Sequence, residues 1–322
     1  DDTDLIHWGR DDAMEAEDLI AQVQEEVWDW GMLAQATGGA LKQAKCSVCF
    51  MFYVFRRGKA DLVKIQDLPP AKGEVVIIDK AGVERTHQAH IEIPQPDGSK
   101  CLIPTRETTE ATKMLGVYYA CAGDGSTHCT EMKKAGIKWV DGLISRPLPR
   151  RDAWMSFLLQ LMPKISYGIV AVVYSPKKIE EIFQSLLYKA LPLLGVNRCI
   201  TKFWRTLPLK YQGLGLPDFV ILALSLKISF LLRHWGFDDT AGGALTQAYE
   251  AFVIETGLYG DILNQNFKRL GCLATDGTWF KNLWELLQFL GIKLCVSEDH
   301  HLRPLRVGDA PILSVLADIG YR

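Results

Sequence analysis

Residues 112–140 read TKMLGVYYACAGDGSTHCTEMKKAGIKWV, and a change of period inside them decides the fold. TKMLGVYYACAG (112–123) is rich in aromatic and apolar β-formers and predicts one strand. From about residue 125 onward the apolar residues recur at helical spacing, and they go on doing so. The Gly/Asp-rich AGDGST (122–127) joins the two regimes. The chain is therefore expected to be α+β, with a strand-bearing front half and an all-helical back half.

Upstream of that join, KCSVCFMFYVF (45–55), GEVVIID (73–79), ERTHQAHIEI (84–93) and SKCLIP (99–104) predict strands, separated by the turn signals DKAG and QPDG. Residues 56–107 thus look like a β-rich insertion. Ahead of them Ala16, Leu19, Ile20, Val23, Val27, Trp30 and Ala34 mark an amphipathic helix with an acidic outer face. Gly38-Gly39 is where it should stop. TDLIHW (3–8) reads as a short strand leaving a turn at Asp1-Asp2. Downstream, Ile179, Ile182, Phe183, Leu186, Leu187, Ala190 and Leu194 form one stripe, and 217–236, 242–257 and 278–291 read as further helices. ISYGIVAVVY (165–174) is too short to span a bilayer and is expected to be a buried helix, so no membrane is implied.

The chain has 322 residues, 48% of them apolar and 23% charged, enough for a large core and for two or three domains. Eight scattered cysteines, with no leader sequence, favour free thiols in a reducing compartment over disulfides. An opening of DDTD suggests that position 1 is interior to a longer polypeptide. Net charge is only −2, but it is segregated: residues 1–40 hold eleven acids against the single base Arg10, and 131–210 hold fourteen bases against five acids. A positive field of that kind suits a polyanion, although lysine-rich solvated helix faces would give the same pattern.

Paired acids in a turn between strands are what a two-metal phosphoryl-transfer site needs, because carboxylates hold two divalent cations a few Å apart. Alone the dipeptide says little; Asp11-Asp12 and Asp238-Asp239 repeat it. Context supplies more. DDTDLIHW, an acidic helix, ATGGALKQAKC (36–46), a strand and TKMLGVYY follow in an order that resembles the palm of reverse transcriptases of non-LTR (LINE-like) and related retrotransposons. GIKWVDGLISRPLPRRDAWMSFLLQLMPKISYGIV (136–170), IEEIFQSLLYKALPLLGV (179–196) and LPLKYQGLGLPD (207–218) resemble the thumb and post-thumb of the same elements. The likeness covers most of residues 1–236.

That resemblance implies a partial polymerase palm over 1–124, an antiparallel sheet with a helix and the β-rich insertion, then an all-helical thumb over 125–236 and a helical C-terminal extension over 237–322. It implies that Asp1 and Asp2 are the catalytic, metal-holding acids and that Lys45 is the acid for departing pyrophosphate, with Lys42 competing for that role. Leu115, Gly116 and Val117 match the hairpin that grips the primer end, or else a plain core strand. Lys133, Lys134, Lys138, Arg146, Arg150 and Arg151 lie where a thumb would track template-primer phosphates. Trp139 and Trp154, interleaved with them, are expected in the core.

The implied reaction is RNA-templated DNA synthesis from dNTPs with two Mg²⁺ ions, on an RNA template and a DNA primer, inside the cell in nucleus or cytoplasm. The fingers and the palm strand with the other metal-binding aspartate are missing N-terminal parts of the same polyprotein, so the isolated chain is expected not to polymerise. Two rival readings remain open: a non-catalytic nucleic-acid-binding module from a decayed or repurposed retroelement, and a helical protein-interaction scaffold. Cys46 and Cys49, three apart on an expected strand, face opposite ways and should not chelate together. Cys121, His128 and Cys129 lack a fourth ligand, and His300-His301 is expected to be solvated. No Walker loop, dinucleotide fingerprint or nucleophile elbow is present.

Overall fold

The computed structural model describes residues 15–56, 59–78, 82–114, 116–237, 239–258 and 261–294. The strand expected over 3–8, the Asp1-Asp2 turn, Leu115 and the His300-His301 pair lie outside them. The chain divides into two compact units: Asp1–Leu115 with Ala120–Ala122, and Gly116–Tyr119 with Gly123–Arg322. It is α+β, mixing helices with small antiparallel sheets.

In the first unit, helix α1 (Ala16–Ala36) ends as expected, with Gly38 at φ 82°, a conformation only glycine adopts freely. Strands β1 (Tyr53–Arg56), β2 (Lys59–Leu62), β3 (Gly73–Ile78), β4 (Glu84–Ala89), β5 (Ile91–Pro94) and β6 (Lys100–Ile103) follow. They pair as three separate antiparallel hairpins, β1–β2, β3–β4 and β5–β6, where one antiparallel sheet was expected. The reason is visible at the third hairpin. Gln24 on α1 donates to Glu92 O and accepts from Glu92 N, both at 2.8 Å, while Gln43 donates to Leu102 O at 2.8 Å. Side-chain amides thus occupy backbone groups of β5 and β6 that a further strand would have taken.

Of the strand expected over 45–55, only Tyr53–Arg56 forms regular pairing; Gln43–Lys45 is a 3₁₀ turn, and Val48 makes a single bridge to Thr105. The core of this unit is Val23, Phe50, Ile91, Ile93 and Ile103. His90 sits beside it, buried between the Thr105 hydroxyl and Pro69 O, and burial pushes its pKa down.

TKMLGVYYACAG is two strands, not one: β7 (Thr112–Met114) and β8 (Val117–Tyr119), with Gly116 at φ 92° between them. The second unit continues with α2 (Ser126–Ser145), α3 (Arg150–Ser156), a π-helical turn over Phe157–Leu161 and α4 (Met162–Ser166). Next come α5 (Pro176–Leu193), α6 (Lys202–Thr206), α7 (Phe219–His234), α8 (Thr240–Thr256), α9 (Phe267–Leu270) and α10 (Trp279–Leu290).

ISYGIVAVVY is largely buried, with Tyr167 and Ala171 exposed, but it is not the helix expected; α4 stops at Ser166 and the chain turns. The carbonyls of Val170, Val172 and Tyr174 are claimed by side chains. Lys227 Nζ donates to Val170 O and Val172 O, each at 3.1 Å, Trp279 Nε1 to Val170 O at 2.9 Å, and Asn282 Nδ2 to Tyr174 O at 2.7 Å. One hydrophobic core runs from Cys129 to Leu287, so residues 237–294 pack together with 125–236. Phe183 and Phe219 stack in it at 3.6 Å, and Trp284 is fully enclosed. Cys46, Cys49, Cys101, Cys121, Cys129, Cys199 and Cys272 carry free thiols. No helix among the described residues is long and apolar enough to cross a membrane.

Candidate nucleic-acid interface

Helix α2 starts where Asp124 accepts from the N–H and hydroxyl of Ser126, bonds that hold its carboxyl below the usual carboxylate range. Its buried face is His128, Cys129, Met132, Gly136, Val140 and Leu143, spaced at three and four. Lys133, Lys134 and Lys138 are thereby turned to solvent. The exposed face is not purely basic. Lys134 pairs with Glu131 at 2.7 Å, which raises its pKa, and Asp141 lies one turn beyond Lys138. An exposed pair of this kind adds little stability and can open to a phosphate.

Helix α5 packs on α2 closely because Gly136 has no side chain; a methyl there would lie 2.7 Å from Leu186 Cδ1. A cavity of about 100 Å³ runs between the helices, lined by apolar residues and flanked by Lys133 from α2 and Lys189 from α5. Lys189 went unnamed in the sequence reading. Its place beside the same cavity as Lys133 follows only from how the two helices meet.

Arg146 follows the last residue of α2, and Arg150 and Arg151 open α3. Cations at a helix N-terminus oppose its dipole, so helix stability does not account for them. Arg150 also has a role within the fold: a methyl on Gly195, just past the C-terminal end of α5, would lie 3.0 Å from its Cδ. There the dipole favours a cation. Arg151 is exposed. Trp139 and Trp154 are core residues, each edge-on to Phe157, with their N–H groups bonded to Ser156 Oγ and Leu194 O.

Gly116 and Val117 belong to the same unit. A methyl on Gly116 would touch the Tyr167 ring at 3.7 Å, and Val117 packs on the core. The next residue fastens β8 to α2, since Tyr118 N–H donates to His128 Nδ1 at 3.3 Å. Burial pushes the His128 pKa down, so the ring is neutral and its Nδ1 can accept. His128 and Cys129 are buried on α2, in no ligand set.

The structure thus brings Lys133, Lys134, Lys138, Arg146, Arg150, Arg151, Gly116 and Val117 into one unit. Lys45 belongs to the other, exposed at the end of its 3₁₀ turn, with Lys42 exposed at the start. Asp1, Asp2 and Leu115 lie outside the described residues, and no group of three His, Cys, Asp or Glu among the described residues could hold a metal. One feature of the first unit had no warning in the spacing: the Cys49 and Cys121 thiols interact, which lowers the Cys121 pKa and raises that of Cys49.

No family model, no curated protein and no solved structure matches the chain.

Proposed function

We propose that this chain is the C-terminal half of an RNA-directed DNA polymerase of the retrotransposon type, whose helical unit holds the phosphate backbones of a template-primer duplex. The observation that carries the reading is the set of exposed cations on α2 and at the start of α3, with Lys133 and Lys189 lining the same cavity between α2 and α5. Such groups bind phosphate without reading sequence, as a polymerase requires. The order of the short sequence words from DDTDLIHW to LPLKYQGLGLPD supports the same reading. In the parent enzyme Asp1 and Asp2 would hold Mg²⁺, the partners would be template RNA, primer DNA and dNTPs, and Lys45 would protonate pyrophosphate. The two aspartates lie outside the described residues.

The test is binding of this chain to a labelled RNA/DNA primer-template over a salt series, beside a variant with Lys133, Lys134, Arg150 and Arg151 reversed in charge. Tight, salt-sensitive binding that the variant loses is expected. A folded wild-type chain that does not bind removes the thumb reading. One observation favours a protein-docking role beside this one: Ile144, Leu148, Leu158 and Leu159 are large apolar side chains open to solvent on and around α2 and α3. Docking through that surface predicts association that salt does not weaken.

A further inference from the structure

Helix α6 and the turn that follows it, residues 207–216, expose four large apolar side chains within nine residues: Phe203 at 64%, Trp204 at 48%, Leu209 at 76% and Tyr211 at 59%. Single exposed apolar residues are ordinary, but a cluster on one short segment marks a binding surface.

The segment is held in shape. Leu214, Gly215 and Leu216 donate their N–H groups back to Trp204 O, Leu207 O and Arg205 O at 3.0, 2.9 and 2.9 Å. Gln212 takes the left-handed φ of 62°, and Gly213 approaches the Leu207 carbonyl so closely that a methyl would overlap it. Phe203 and Trp204 meet edge to face at 5.6 Å. A ligand arriving here finds the surface already ordered, which keeps the entropic penalty of binding small.

Charge selects the occupant. No acidic residue occurs from 182 to 217, a stretch that carries Lys189, Arg198, Lys202, Arg205 and Lys210. Of the acids that flank it, Glu181 is exposed, and Glu180 and Asp218 are engaged by Lys202, at 2.9 and 2.8 Å. Lys210 lies over the Tyr211 ring at 4.8 Å, and the buried Nε of Arg205 has no hydrogen-bond partner among the described residues. Exposed aromatic rings beside Arg205 and Lys210, which no carboxylate engages among the described residues, match a chain that alternates flat bases with phosphates. An apolar protein surface laid over them would bury those cations without acceptors.

We propose that α6 and the 207–216 turn form a stacking platform for an unpaired strand of RNA or DNA. Bases stack on Phe203, Trp204 and Tyr211, and phosphates meet Arg205 and Lys210. The inference rests on the reading that this chain binds nucleic acid, and it extends that reading from a duplex on α2 and α3 to a strand that is not paired.

The full chain is titrated with a labelled uridine 12-mer, a thymidine 12-mer and an RNA/DNA duplex of equal length. Two variants accompany it, Phe203→Leu/Tyr211→Leu, which keeps apolar bulk but removes the rings, and Lys210→Glu. Affinity for the single strands is expected to fall about tenfold or more in each variant, with duplex affinity unchanged within about twofold. Single-strand binding that both variants leave intact overturns the platform and leaves the surface to a protein partner. Wild-type chain that binds the duplex but neither single strand also overturns it while the duplex reading stands; binding to none of the three overturns both.

Discussion

The ammonium of Lys227 lies 5.0 Å from the centre of the Trp279 ring, and both side chains donate to the carbonyl of Val170. No carboxylate pairs with this lysine among the described residues, and it is almost fully buried; burial lowers its pKa from 10.5 to about 7. In the unfolded chain the lysine keeps its ordinary value. Between about pH 7 and pH 10 the unfolded state therefore binds the extra proton, and stability rises with pH by on the order of 1 kcal/mol per unit. Below about pH 7 both states are protonated and the desolvation penalty is present in full. Urea unfolding at several pH values in this window should show that slope in the wild type and its loss in Lys227→Met. An identical slope in both would refute the assignment.

Trp284 fills the centre of the helical core, edge-on to Phe252 and Phe267, and donates its N–H to Gln265 O at 2.8 Å. Trp284→Ala should destabilise the second unit by roughly 3–5 kcal/mol, through lost burial, a cavity and an orphaned carbonyl. Trp284→Phe should recover most of the packing but not the hydrogen bond. Denaturant midpoints of the two variants measure the difference; equal midpoints would contradict the packing described.

At Gly213 the obstacle to a side chain is the Leu207 backbone, which cannot rotate away. Gly213→Ala is expected to destabilise the protein by about 1–3 kcal/mol and to raise amide exchange at Leu214, Gly215 and Leu216, whose bonds hold the turn. Unchanged exchange at those three amides would show that the turn accommodates the methyl.

The Cys121 thiol, lowered chiefly by its interaction with Cys49, should alkylate with a midpoint below that of an ordinary thiol. Cys49→Ala removes the neighbouring thiol, and the midpoint should then move up toward the ordinary thiol value of about 8.5. Mass-spectrometric alkylation profiles read both. A midpoint unmoved by Cys49→Ala would place the cause elsewhere.

Much of the fold was legible because it is locally encoded. The period of α1 and the stop at Gly38, the pairing of the strands that flank DKAG and QPDG, and the stripe of α5 each depend on residues near in sequence. What escaped depends on distant partners. ISYGIVAVVY has the composition of a buried helix, and only Lys227, Trp279 and Asn282, more than fifty residues away, reveal why its carbonyls are free to leave one. The separate hairpins follow from Gln24 and Gln43 taking strand backbone groups, which no local pattern announces. The candidate site divides the same way: the lysines of α2 can be read from a helical wheel, whereas Lys189 beside the same cavity as Lys133 and the Cys49–Cys121 pair require the fold.

The central claim is that the α2 and α3 region holds a template-primer duplex. Photo-cross-linking tests it most directly, using an RNA/DNA primer-template with photoreactive bases along both strands and mass spectrometry of the linked peptides. Links are expected on α2 and the segment leading into α3, around Lys133, Lys138, Arg146 and Arg151, and they should fade as salt rises. Links confined to the first unit, or none from a folded chain at saturating duplex, would contradict it.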